Sequence, residues 1–406
     1  FSSRSLAARR GELQRSIETA TQQVASNEQS TVQLQEELGR LTDASAQVGL
    51  EAALAVKLER ETALGAKRSE YDDLTMRLRR ALNAAMLLPG CALAATLKAV
   101  LVVPADDARL ERTRTERAYL GHPGGPAADG LKVALDEARF ELDAAKAAVS
   151  FEVVTVAHRD AARAAAQQAE KAGAAVVISD LDAPATLAVA DAVKLPVLNV
   201  GQAADALRER DCRANLWHLI PSERMRADAL AQAMVARRWT NILVLQGPAA
   251  DDAVRGAAAQ AAIKRYGLKP VAVRPFKLSS DPRERDLANA LLLTGGGLGY
   301  DAVWVIDSDG EFARALPYRS ALPRPVVGDA GLVALAWHAQ YERFGAPQVV
   351  RRFAKAHARA MTDRDWASWM AGRALVAAAL AAPNGPASAW GKALATGELD
   401  GSKGVS

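Results

Sequence analysis

Two hydrophobic rhythms share this chain. In the first, Leu6, Leu13, Ala20, Asn27, Leu34, Leu41 and Val48 recur every seven residues, with Ile17, Val24, Thr31 and Leu38 four positions ahead of the row. That repeat puts two apolar rows on one side of a long helix and predicts a coiled coil within 1–75. Arg10, Asn27, Thr31 and Ser45 dilute the seam, and its phase lapses after about Gly49. The coil is therefore expected to be weak or to need a partner helix, with a solvated single helix as the alternative.

From Leu97 onward, short apolar runs alternate with amphipathic stretches. KAVLVV (98–103), SFEVVTVA (150–157), AAVVISD (174–180) and PVLNVG (196–201) read as strands, separated by helices around 126–139, 160–172 and 183–193. ANLWHLIPS (214–222) leads into a second series, with strands NILVLQG (241–247), KPVAVRPF (269–276), DAVWVIDSD (301–309) and RPVVGDA (324–330). Its helices are expected over 223–238, 249–266, 281–293 and 310–320. Strand–helix alternation builds parallel sheets, so the predicted class is α/β, two Rossmann-like lobes with parallel central sheets. Helices over 347–361 and 363–382 are expected to return and pack on the first lobe. The expected boundaries are a helical extension at 1–75, a signal-like segment at 76–95, lobe 1 at 96–216, lobe 2 at 217–333 and the returning helices at 334–406.

Between the two rhythms lies MRLRRALNAAMLLPGCALAATLKA (76–99), with a basic start, an apolar middle and the small-x-small site Ala92-Leu93-Ala94. That is the layout of a secretory signal, which ordinarily opens a chain. Met76 is thus the expected natural start, with 1–75 an upstream extension or a fusion and cleavage falling after Ala94. The apolar run from Ala81 to Leu97 is broken by Pro89-Gly90 and is short for a spanning helix. If uncleaved, it would serve as a membrane anchor.

Composition adds exclusions. Half of the 406 residues are hydrophobic and the net charge is only +4, without a dense basic stripe, which argues for a soluble globular body and against nucleic-acid binding. Two cysteines, Cys91 and Cys212, imply no disulfide framework. His122, His158, His218, His338 and His357 lack metal-ligand spacing, and no nucleophile elbow or phosphate loop is present. DSDGE (307–311) opens like a calcium loop, but Tyr318 stands where the closing bidentate Glu belongs. TGGGLGYD (294–301) follows a helix and precedes a strand, the reverse of dinucleotide-binding order. No cofactor, no metal and no catalysis are expected.

In open α/β sheets, ligands bind beyond the carboxyl ends of the strands. In lobe 1 that rule selects Tyr119, His122, Asp180, Leu181, Asp182, Gly201 and Gln202. In lobe 2 it selects His218, Gln246, Asp307, Asp309 and Asp329. Backbone amides at Ala183, Ala203 and Ala249, each expected to open a helix, are further candidates for holding an anion. The competing assignment for Asp180 and Asp182 is capping of the helix that begins near Ala183. Trp366 and Trp369 are expected to pack in the core.

The order of elements resembles the type I periplasmic solute-binding proteins of ABC importers, the branched-chain amino-acid-binding class. DCRANLWHLIPSERMRADALAQAMVARRW (211–239), YDAVWVIDSDGEFARALPYRS (300–320), VGDAGLVALAWHAQYERFGAPQVVRRF (327–353) and MTDRDWASWMAGRAL (361–375) are similar to the subfamily associated with pyrroloquinoline quinone-dependent alcohol dehydrogenase systems. The resemblance implies a periplasmic, non-enzymatic protein that captures a small molecule and delivers it to an inner-membrane permease. A membrane-anchored sensor using the same lobes, with the coil as signalling element, is the alternative. Amino-acid-binding relatives hold their ligand with Ser and Thr hydroxyls in the first-lobe turns, where this chain has SDLDAP (179–184) and NVGQAA (199–204). Two aspartates there would repel a carboxylate, so a neutral, hydroxylated or cationic ligand is expected. The ending GELDGSKGVS resembles a point where that family continues, and with Phe1 in place of Met the chain is expected to be cut at both ends.

Overall fold

The computed structural model describes residues 96–110 and 124–404. The expected coiled coil and signal segment, with Cys91, Tyr119 and His122, lie outside the described residues. One compact unit runs from Ala94 to Ser406.

The first sheet has the order β2-β1-β3-β4-β5, from β1 (Thr96–Pro104), β2 (Ala148–Val156), β3 (Val176–Ser179), β4 (Val197–Asn199) and β5 (Leu216–His218), and every pairing is parallel. Its helices are α1 (Ala128–Glu137), α2 (Arg139–Ala144), α3 (Arg159–Lys171) and α4 (Ala183–Ala192). The central strands are apolar on both faces, as burial between two helical layers requires. Leu97, Leu101 and Ile178 face one cluster, and Val100, Val102 and Val177 face another with α3 and α4.

In the second lobe α5 (Glu223–Ala236), β6 (Asn241–Gln246), α6 (Ala250–Arg265), β7 (Lys269–Pro275), α7 (Ala290–Thr294), β8 (Ala302–Ile306), α8 (Glu311–Arg319) and β9 (Val326–Gly328) follow in turn. The sheet is parallel in the order β7-β6-β8-β9. The helix expected over 281–293 is shorter than the sequence suggests. The chain bends through Asp281 and Pro282, and Asn289 caps only the short α7 by accepting from the Leu291 and Leu292 amides. Proline and local side-chain capping outcompete helix propagation there.

After β9 the chain returns as α9 (Ala346–His357), α10 (Asp363–Ala381) and α11 (Ala387–Thr396). Ala367, Ala371, Ala374 and Leu375 of α10 complete the lobe 1 core beside Leu131 of α1. Small side chains allow the close approach: a Cβ at Gly130 or Gly372 would collide with the opposite helix. Trp366 and Trp369 are buried with Phe353 and Trp337. Among the described residues no helix is long and apolar enough to cross a membrane.

Candidate ligand-binding site

Strand register sets the lobe 1 site. Val102, Ser179, Asn199 and His218 are successive partners across β1, β3, β4 and β5, so the turns beyond them emerge in one row. The chain leaves β1 toward β2 and leaves β3 toward β4, the topology that opens a crevice between β1 and β3. A cavity of about 340 Å³ lies there, lined by Pro104, Asp106, Asp107, Arg109, His158, Arg159, Leu181, Asp182 and Gln202, among others. Three of the sequence candidates, Leu181, Asp182 and Gln202, meet in it.

Asp180 does not present itself to this cavity. Its side chain is 0% exposed and is held by Arg364 and Arg109, with Arg364 Nε donating at 3.1 Å and Arg109 Nη1 at 3.1 Å. Asp107 closes the square, accepting from Arg109 Nε at 2.7 Å and Arg364 Nη2 at 3.0 Å. Burial raises the Asp107 pKa, but the two guanidinium groups outweigh it and hold the carboxyl below its ordinary value. With two carboxylates against two guanidiniums, the charge expected to repel an anionic ligand is cancelled inside the protein. Asp182 accepts the Ala185 amide at 2.8 Å and caps α4. The expectation of a non-anionic ligand loses its Asp180 half, while Asp182 keeps its carboxylate at the cavity.

Gly201 packs against Asp180 so closely that a Cβ would strike the carboxylate. Gly201→Ala is therefore expected to cost about 1–3 kcal/mol by overpacking. Urea denaturation should show a lower midpoint at unchanged slope, and parental stability would mean that Asp180 has room to retreat.

In lobe 2 the acidic candidates divide. Asp307 is buried; its Oδ2 accepts the Ala313 amide at 2.8 Å inside the first turn of α8, and burial raises its pKa. Asp329 accepts from the Asp307 amide at 2.6 Å and pairs with Arg255, which also approaches Glu223 at 3.6 Å. Glu223 keeps a raised pKa through burial despite Arg255 and Arg226. Glu223, Arg226, Arg255, Trp304 and Asp329 line a small pocket of about 70 Å³ at the β8–β9 edge. Gln246 lies over Gly256 of α6, and Asp309 is exposed. Of the proposed anion-holding amides, Ala249 already donates to Asp252 at 3.2 Å, and Ala203 opens no helix, since the chain there runs extended into a 3-10 turn at Asp205–Arg208.

The crossovers form a third feature. The first, 219–222, carries β5 into α5; Ser222 caps α5 by accepting the Met225 amide at 3.2 Å. The first turn of α5 is also tied to lobe 1, with Glu223 N donating to Ala203 O at 2.9 Å and Arg224 N to Asp205 at 3.1 Å. Arg226 donates to Asp363 of α10 at 2.7 Å and to Ala334 O of the second crossover at 3.1 Å. His218, selected with the lobe 2 candidates, instead ends β5 of the first sheet and lies here. Burial, followed by the nearby Arg208, lowers its pKa to about 4.

Sequence reasoning missed Asp107, Arg109, Arg159, Arg255 and Arg364. The available signal was that buried carboxylates at strand ends require cations, and arginines stand close to the selected turns or in the returning helix.

No protein-family model matches the chain. Two curated relatives match over a short stretch. The chromosome partition protein Smc of Delftia acidovorans is 61% identical over 79 residues, 20% of this chain and 7% of that protein. The Smc protein of Burkholderia pseudomallei is 43% identical over 70 residues, 17% of this chain and 6% of that protein. The chain thus spans a small fraction of their length. Solved structures give a broader likeness. An ABC transporter substrate-binding protein from Sphaerobacter thermophilus has a TM-score of 0.59 at 14% identity, covering 75% of this chain and 87% of its own. A putative branched-chain amino acid ABC transporter from Rhodospirillum rubrum has a TM-score of 0.56 at 17% identity, covering 77% and 92%. A solute-binding protein from R. palustris, in complex with benzoate, has a TM-score of 0.55 at 15% identity, covering 75% and 87%. At these identities the likeness is one of fold, and the two parallel-sheet lobes have the type I periplasmic-binding-protein architecture.

Proposed function

We propose that the unit from Ala94 onward is the periplasmic substrate-binding component of an ABC importer, which captures a small solute between its lobes and presents the closed form to a permease. The observation that supports it most is a lined cavity at the carboxyl end of each sheet, one about 340 Å³ and one about 70 Å³. Short crossovers connect the two lobes, as hinge closure requires. No bond is made or broken on this reading; unequal affinity for open and closed forms does the work.

The similarity of 211–239, 300–320, 327–353 and 361–375 to the quinone-linked subfamily supports a role beside alcohol oxidation. Alcohols, aldehydes and short acids therefore head the candidate ligands. Arg159, Asp182 and Gln202 would meet the solute from lobe 1, and Asp329 with Arg255 from lobe 2. The Smc-like stretch is best placed in the heptad-bearing segment 1–75, because the structural likeness takes up a share of the chain comparable to the compact unit. Smc function is not carried over to the lobes.

A thermal-shift screen of the full chain against these ligands and amino acids tests the proposal. A true ligand raises Tm by mass action and also lowers the radius of gyration in solution scattering as the lobes close. Arg159→Ala combined with Gln202→Ala is expected to weaken the shift about tenfold or more in ligand concentration. A folded protein that no ligand shifts, or that binds without compaction, would count against the importer role.

A further inference from the structure

A further cavity lies between the two crossovers and not at the strand-end turns of β1, β3, β8 and β9. An open hollow of about 520 Å³ is bounded by Arg208 and His218 of lobe 1, Met225 and Ala229 of α5, Leu335 of the second crossover, Trp366 of α10 and Lys403, among others. Its volume lies in the range of small-molecule sites. Most of its wall is apolar, and no Asp or Glu is among the lining residues.

Besides the neutral His218, its titratable side chains are the cations Arg208, Arg226 and Lys403, two of which have hydrogen-bond donors to spare. Arg208 donates one nitrogen to Ile220 O, while its buried Nη1 has no hydrogen-bond partner. Asp205, the carboxylate whose charge reaches Arg208, spends both oxygens on the Arg224 amide. Lys403 donates to Ala336 O at 3.0 Å and lies 3.5 Å from the centroid of the Trp366 ring, with no carboxylate paired to it among the described residues. Arg226 is committed to Asp363, yet its buried Nε is also without a partner. Burying cationic hydrogen-bond donors without an anion is costly, and an apolar wall beside them favours an anion with an apolar body.

We propose that the hinge cavity is a second binding site, distinct from the strand-end cavities, for a small monocarboxylate with an apolar chain or ring. The carboxylate would pair with Arg208 and Lys403 while the apolar part lies along Met225, Leu335 and Trp366. These residues belong to both lobes and a crossover, so an occupant couples directly to the hinge angle and shifts the balance between open and closed forms.

Hexanoate and its neutral isostere hexanamide are the probes, titrated calorimetrically into the full chain, the cavity-filling variant Ala229→Trp, the charge variant Lys403→Met and the double variant Arg159→Ala with Gln202→Ala. Ala229 is solvent-exposed on α5, so a Trp there is compatible with folding. The expected result is binding of hexanoate but not hexanamide, lost in Ala229→Trp, weakened about tenfold in Lys403→Met and unchanged in the double variant. Absence of hexanoate binding in the folded parent, equal binding of the amide, or binding that survives Ala229→Trp overturns the proposal. Loss in the double variant alone would place the carboxylate in the lobe 1 cavity, which supports the importer reading and defeats this one.

Discussion

Replacing Arg364 by Met is expected to cost about 3 kcal/mol of stability, the low end of the range for breaking a buried ion pair by removing one partner. Asp180 is 0% exposed at the end of β3, and its carboxylate is shared between Arg364 and Arg109. Without Arg364 it keeps, among the described residues, only Arg109, which Asp107 also claims. The loss should persist at high salt, since buried charges are poorly screened. Pairing Arg364→Met with Asp180→Leu should restore much of the stability, because an apolar pair carries no unmatched charge. Urea unfolding at low and high salt measures both. A loss below about 1 kcal/mol, or no recovery in the double variant, would show that charge burial is not what Arg364 relieves.

A fall in stability between pH 7 and pH 4.5, absent from His218→Gln, is the second large effect expected. Asn199 Oδ1 accepts the Gly201 and Gln202 amides, which orients its Nδ2 as a donor to Gln202 O and to His218 Nδ1 at 2.9 Å. His218 Nδ1 must therefore be the acceptor, and the neutral ring carries its proton on Nε2. Protonation would set two donors against each other beside Arg208. The folded value of about 4 lies below the ordinary 6.5, so the unfolded chain takes up the proton first. Stability is then fully present above pH 6.5 and declines as pH falls toward 4, by up to about 3 kcal/mol, less what water reaching the ring returns. Glu223 and Asp307, whose values are raised by burial, act in the opposite sense in both proteins, so the difference between parent and variant isolates His218. Parallel pH profiles would remove His218 from the hinge's electrostatics.

The fold was legible because its strands are short apolar runs whose burial on both faces leaves no ambiguity of period. KAVLVV falls inside β1, and AAVVISD, NILVLQG and DAVWVIDSD each contain an observed central strand. The helix over 281–293 failed where Pro282 and Asn289 impose local turns that apolar periodicity does not register. At the site, strand-end turns could be found from sequence, but what occupies them could not. Asp180 reads as a free charge until Arg364, 184 positions later, is seen to reach it. His218 reads as a cleft residue until β5 proves to be the edge strand that feeds the hinge. Ion pairs between distant segments leave no periodic trace, and these are what separate a ligand contact from a structural one.

The closing of lobe 1 by α10 also fixes an order of assembly. All of lobe 2, from α5 through β9, is one continuous stretch whose two apolar clusters draw almost wholly on residues 227–334. The face of the first sheet against α3 and α4 is equally local, using residues 100–216. The opposite face is not: its cluster joins residues 97–220 to residues 367–399. The lobe that begins first in the chain is thus the last to have all its core residues synthesised, since α10 lies beyond the whole of lobe 2.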